Sequence, residues 1–151
     1  MNYLILDTCI ILHILRGKDF SKKIMLQIEK IDNASIIIST VTKAELESMK
    51  FQNNWGGPRC SALDNFLKNV TYVDINNTDT ELICSYKNID SYSKCKSNDL
   101  LGNKIKGSAK NMGKNDLWIA ATALTLNVPL MTADGDFDHL NQTFIDIIKI
   151  S

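Results

Sequence analysis

Four acidic side chains stand where a carboxylate could do chemistry. Asp7 directly follows the apolar run Tyr3 to Leu6, and Glu45 comes a turn or two of helix after Ile36 to Ile38. Asp116 opens the apolar stretch Leu117 to Leu126, and Asp134 follows the run Val128 to Met131 after Thr132 and Ala133. Each has an ordinary structural account. Asp7 could cap the helix it precedes, and Thr42-x-x-Glu45 fits a capping box, which taken alone is the simpler account of Glu45. Asp116, behind Asn115 as N-cap, would gain from the positive end of its helix, while Asp134 beside Gly135 suits a turn. Separate accounts fit the four together less well, because three of the acids follow strands and the fourth opens a buried helix. Carboxylates brought close repel one another and take up protons unless a cation neutralises them. Oxygen ligands without matching His or Cys select Mg²⁺ or Mn²⁺. An ion held in this way can activate water against a phosphodiester.

The elements that would position these acids alternate. Strands are expected over Met1–Leu6, Ala34–Ser39, Thr71–Asp74, Val128–Met131 and Phe144–Ile150, from their β-branched and apolar runs. Helices are expected over Ile10–Arg16 (closed by Gly17), Phe20–Ile31, Thr42–Met49, Ser61–Leu67, Asp79–Ser91 and Asp116–Leu126. Phe51–Arg59, with Gly56, Gly57 and Pro58, reads as a loop. Strands joined by helical crossovers predict a three-layer α/β/α arrangement around a mostly parallel sheet of about five strands. Ligands of such sheets gather at the carboxyl ends of the strands.

Bulk properties narrow the setting. The 151 residues predict a single domain spanning 1–151, and the composition, 44% hydrophobic and 23% charged, is that of a globular protein. With 17 basic and 17 acidic residues there is no overall basic excess, so a nucleic-acid partner has to be argued from local charge. That charge lies in residues 92–114, where Lys94, Lys96, Lys104, Lys106 and Lys110 precede Lys114 and Asp99 is the single acid. The segment reads as a basic, mobile loop, either a phosphate contact or a solvated surface. Cys9, Cys60, Cys84 and Cys95 form no C-x-x-C pair, which points to reduced thiols and away from zinc. No apolar run is long enough to span a membrane, and a cytoplasmic location is expected. Cys9 and His13 stand at i, i+4 but read as helix packing, His139 as part of a surface turn, and Trp118 as a core or dimer contact.

The acids sit in four stretches that together resemble the PIN-domain family, and within it the VapC toxin ribonucleases of toxin–antitoxin systems. The stretches are Leu6-Asp7-Thr8-Cys9-Ile10-Ile11 with Leu15-Arg16-Gly17, Ile38-Ser39-Thr40-Val41-Thr42-Lys43-Ala44-Glu45-Leu46, Asn115-Asp116-Leu117-Trp118-Ile119-Ala120-Ala121-Thr122-Ala123, and Leu130-Met131-Thr132-Ala133-Asp134-Gly135-Asp136-Phe137. The resemblance implies a PIN-like fold and an endoribonuclease whose Mg²⁺ or Mn²⁺ is held by Asp7 and Asp116, with Asp134 and Glu45 completing the pocket. It also implies an RNA substrate, a homodimer and a cognate antitoxin protein. Asp136 competes with Asp134 as the fourth acid, and Thr132 could bond a carboxylate or water. Cys9 departs from the family's usual asparagine, which suggests a tuned rather than a dead site. Two other readings remain open: a PIN domain that binds RNA or protein without cutting, and a phosphatase with Asp7 as nucleophile. The second lacks an acid at position 9.

Overall fold

The computed structural model describes residues 2–151; Met1, expected in the first strand, lies outside the described residues. Strands β1 (Asn2–Leu6), β2 (Ala34–Ser39), β3 (Thr71–Val73), β4 (Leu130–Thr132) and β5 (Ile147–Lys149) form one sheet in the order β3-β2-β1-β4-β5. Every pairing is parallel, with Ile5 opposite both Ile37 and Leu130. The crossovers are α1 (Thr8–Arg16), α2 (Asp19–Glu29), α3 (Thr40–Gln52), α4 (Gly57–Leu67), α5 (Thr80–Ser93) and α6 (Lys114–Leu126).

Strand periodicity divides the core into two layers. Leu4, Leu6 and Ile38 face a cluster with Ile10 and Ile11 of α1, Ile24 of α2, Leu46 of α3 and Leu63 of α4. Ile5, Ile37 and Leu130 face the other side, against Ile89 of α5 and Ile119, Ala120 and Ala123 of α6. This is the expected α/β/α sandwich. Ala120 and Ala123 of α6 are fully buried in this layer, and Trp118 packs against Tyr86 of α5 in a tilted contact with ring centres 4.3 Å apart.

Four local expectations are corrected. Residues 51–59 are not all loop: α3 runs through Gln52 and α4 starts at Gly57. Pro58 lies in the first turn of α4, where a missing N–H costs no helical hydrogen bond. Residues 92–114 are not all loop either. Tyr92 and Ser93 finish α5, and Ile105 and Met112 are buried in the α5–α6 layer. The last strand is shorter than Phe144–Ile150, and a 3-10 helix, Gly135–Leu140, precedes it. Finally, Gly113 caps α6, which places Asn115 inside the first turn.

Candidate metal centre

β1 lies between β2 and β4. The chain crosses from one half of the sheet to the other between β1 and β4, the topological switch point at which open α/β sheets bind ligands. Asp7 directly follows β1 there, its backbone N–H donating to the Met131 carbonyl at 3.0 Å. It stands at the N-cap position of α1, yet its side chain makes no capping bond. Instead Oδ2 accepts from the Thr132 hydroxyl at 2.7 Å and from the Cys9 thiol at 3.0 Å. Asp7 is 4% exposed and Thr132 fully buried. Thr132 also accepts from the Asp134 N–H at 2.9 Å, so one hydroxyl ties the ends of β1 and β4 together.

Glu45 is not the return arm of a capping box. Ser39 caps α3 by accepting from the Val41 N–H, and Thr42 is buried inside the helix. Glu45 is left with a buried Oε1 that has no hydrogen-bond partner. Burial pushes its carboxyl above the usual range; Thr8 and Asn115 pull it down in part, and the charge of Asp7 adds to the rise. An orphaned buried acceptor costs about 1–3 kcal/mol, which a cation or a donor on a ligand would recover.

Asp116, Asp134 and Asp136 each bring a carboxylate oxygen within 4.8 Å of the others. Asp116 is placed by the first turn of α6. Asp134 caps the 3-10 helix, its Oδ1 accepting from the Asp136 N–H at 2.9 Å, and this turn brings Asp136 back to the cluster. Asp134 therefore makes the turn and also lies in the cluster, with Asp136 beside it. Asp116 is pushed up to about 6, chiefly by burial and then by the charges of Asp7, Asp134, Glu45 and Asp136. Electrostatics thus couple all five acids, and among the described residues no basic side chain forms an ion pair with any of them.

Residues 4–142 match the PIN domain. The chain belongs to the PIN-domain family. Its fold is similar to that of VapBC2 from Rickettsia felis, solved bound to a DNA fragment from its promoter, with a TM-score of 0.69 and 21% identity over 96% of this chain and 98% of that one. VapBC-1 from nontypeable Haemophilus influenzae has a TM-score of 0.66 and 22% identity over 97% of both chains. VapBC-5 from Mycobacterium tuberculosis, a member of the VapBC family of toxin–antitoxin systems, has a TM-score of 0.61 and 18% identity over 99% of this chain and 100% of that one. No curated protein sequence matches this chain.

The donor set of this PIN domain fits a hard divalent cation. It is made of carboxylate oxygens, it contains an orphaned buried oxygen, and one member, Asp116, binds its proton more tightly than usual because of burial and then the neighbouring negative charges. No helix of the PIN domain is long and apolar enough to cross a membrane, among the described residues. His13 packs on Phe20 with ring centres 4.4 Å apart, and Cys9 turns to Asp7, so the two share no ligand position.

The surface-turn expectation for His139 is corrected. His139 is partly buried, 2.7 Å from the Ser93 hydroxyl and stacked with Tyr92 at an interplanar angle of 8°. Sequence reasoning missed this link because its two halves are 46 residues apart. It also missed Asn115 as a neighbour of Glu45, having given it the cap that Gly113 makes.

Proposed function

We propose that this PIN domain is a Mg²⁺- or Mn²⁺-dependent endoribonuclease, the toxin of a toxin–antitoxin pair. The observation that carries the reading is the gathering of five coupled carboxylates, one with an orphaned buried oxygen, at the switch point of a parallel sheet. Asp116, Asp134 and Asp136 would hold the cation, with Asp7 beside them and Glu45 closing the pocket. When bound, the ion supplies the positive charge that activates water and steadies the departing oxygen of the phosphodiester. Thr132 and Cys9 fix Asp7 by occupying Oδ2. Glu45, with its free Oε1 and raised proton affinity, is suited to take a proton from the attacking water.

The choice of RNA, the antitoxin partner and a homodimer rests on the sequence motifs and on likeness to VapBC proteins. The phosphatase reading gives way to PIN membership, and position 9 is a thiol. RNA cleavage in Mn²⁺ by the wild type, Asp7→Ala and Asp116→Ala tests the activity. Loss in both variants is expected, and equal activity in all three removes the assignment. Sequencing the cleaved RNA ends then identifies the substrate.

A second reading, a PIN domain that binds RNA without cutting it, draws on Cys9 in the asparagine position. It is favoured if the wild type binds RNA but leaves it intact while Cys9→Asn gains cleavage.

A further inference from the structure

Beside the acid cluster lies a cavity of about 270 Å³ lined by Lys110, Asn111 and Met112 and by Gly135, Asp136, Asp138 and His139. Asp136 belongs both to this cavity and to the carboxylate trio, so the cavity adjoins the cluster. The charges lining it are not equivalent. Asp138 is paired with Lys149 at 2.6 Å, and Asp136 faces the other acids. Lys110 forms no ion pair among the described residues. It is the one lysine of the 92–114 segment that lines this cavity; Lys104 and Lys106, its equals by sequence, do not.

Lys110 is also held in place. Its backbone N–H donates to the Ser93 carbonyl at 2.7 Å. The Ser93 side chain, in a residue 1% exposed, lies 3.6 Å from the Met112 sulfur and 2.7 Å from His139 Nε2. Ser93 therefore clamps the basic segment to the 3-10 helix that carries Asp136. The anchor fixes where the backbone at Lys110 stands relative to Asp136, and the lysine's uncompensated charge two residues from a buried methionine suits an anionic ligand with an apolar part.

On the reading of this protein as an RNA-cutting PIN domain, we infer that the cavity seats the nucleotide adjoining the bond to be cut, with Lys110 contacting its phosphate. Ser93 and His139 are positioning residues that set Lys110 relative to the acids.

The test measures binding of a fluorescent single-stranded RNA decamer in EDTA, where it stays intact, and its cleavage in Mn²⁺. Lys110→Ala is expected to weaken binding about tenfold, equivalent to about 1.4 kcal/mol, and to lower the salt slope by about 1. Lys110→Arg should restore most of the affinity, and Lys30→Ala, at the end of α2, should change neither quantity. Ser93→Ala should weaken binding while leaving the salt slope near that of the wild type, since Lys110 keeps its charge but loses its place. In the cleavage assay the Lys110→Ala defect should appear mainly in KM. Wild-type affinity in Lys110→Ala, or an equal loss in Lys110→Arg, overturns the subsite. If no RNA is cut but binding still depends on Lys110, the phosphate contact at Lys110 stands and the nuclease reading falls. If RNA is cut with an unchanged KM in Lys110→Ala, the nuclease reading stands and the subsite falls.

Discussion

Asp116 holds its proton up to about pH 6 because burial and four neighbouring carboxylates disfavour its charge. The same residue in an unfolded chain titrates near the ordinary 3.8. Between those values the folded state keeps a proton that the unfolded state has lost, so stability falls as pH rises through this window, and the full cost is present above 6. In EDTA, Asp116→Asn should therefore melt higher than the wild type at pH 7.5, by on the order of 1 kcal/mol once solvent screening of a partly buried group is allowed for. At this chain length that is roughly 2–4 °C, and the gain should shrink towards pH 4. A variant no more stable than the wild type at pH 7.5 would show that burial and the neighbouring acids do not disfavour the Asp116 charge as its placement requires. Cys9 makes a different prediction. Burial, then the charge of Asp7, pushes its thiol up to about 12, so it stays protonated and poorly nucleophilic. Iodoacetamide at pH 8 should modify the exposed Cys84 and Cys95 well before Cys9 in the native protein, as peptide mass mapping would show. Early labelling of Cys9 would mean that its bond to Asp7 is not kept in solution.

At the scale of elements, the strands that carry the site were readable because their side chains alternate. Leu4 and Leu6 against Ile5 define two buried faces, and a run buried on both sides by parallel neighbours leaves little choice of structure. Helix ends were harder, since several residues compete for one cap. Thr42 and Glu45 match a capping box, but Ser39, three residues earlier, takes the cap and frees Glu45 for the pocket. The tether of residues 92–114 was hidden for a related reason: Ile105 and Met112 are single apolar residues in polar surroundings and leave no periodic signal. His139 and Ser93 come together only through the fold. Gly113 shows how tightly an element end can be matched to the site. A Cβ added there would lie 3.1 Å from Asp116 Oδ2, closer than a side chain sits comfortably, although the glycine's own backbone angle of φ −62° is open to any residue. Gly113→Ala should therefore leave the circular dichroism spectrum unchanged and lower Mn²⁺ affinity by displacing one carboxylate. Unchanged affinity would show that Asp116 can yield without leaving the pocket.

For the whole molecule, formal neutrality hides a separation of charge. The 17 acids and 17 bases cancel in total, yet five carboxylates converge on one sheet edge while the basic segment 92–114 brings Lys110 to its flank. Such a molecule has no general attraction for nucleic acid. On the proposed function, approach would depend on the local basic segment, and the acidic centre would repel a phosphate until a cation reversed its sign. Folding and metal binding should then be linked. The metal-free protein carries the repulsion of the cluster and the orphaned Glu45 oxygen as a standing cost, and an ion that binds only the folded state relieves both. At a concentration 100 times its Kd it would stabilise the fold by about 2.7 kcal/mol, or roughly 5–11 °C at the usual sensitivity for this length. Added Mn²⁺ should raise Tm by about that much at pH 7.5, with EDTA reversing the rise. At pH 5 the effect should be much smaller, because Asp116 must first give up its proton. Asp116→Ala should abolish most of the shift at both pH values. A rise that is equal at pH 5 and 7.5, or that persists in Asp116→Ala, would place the bound ion away from these carboxylates.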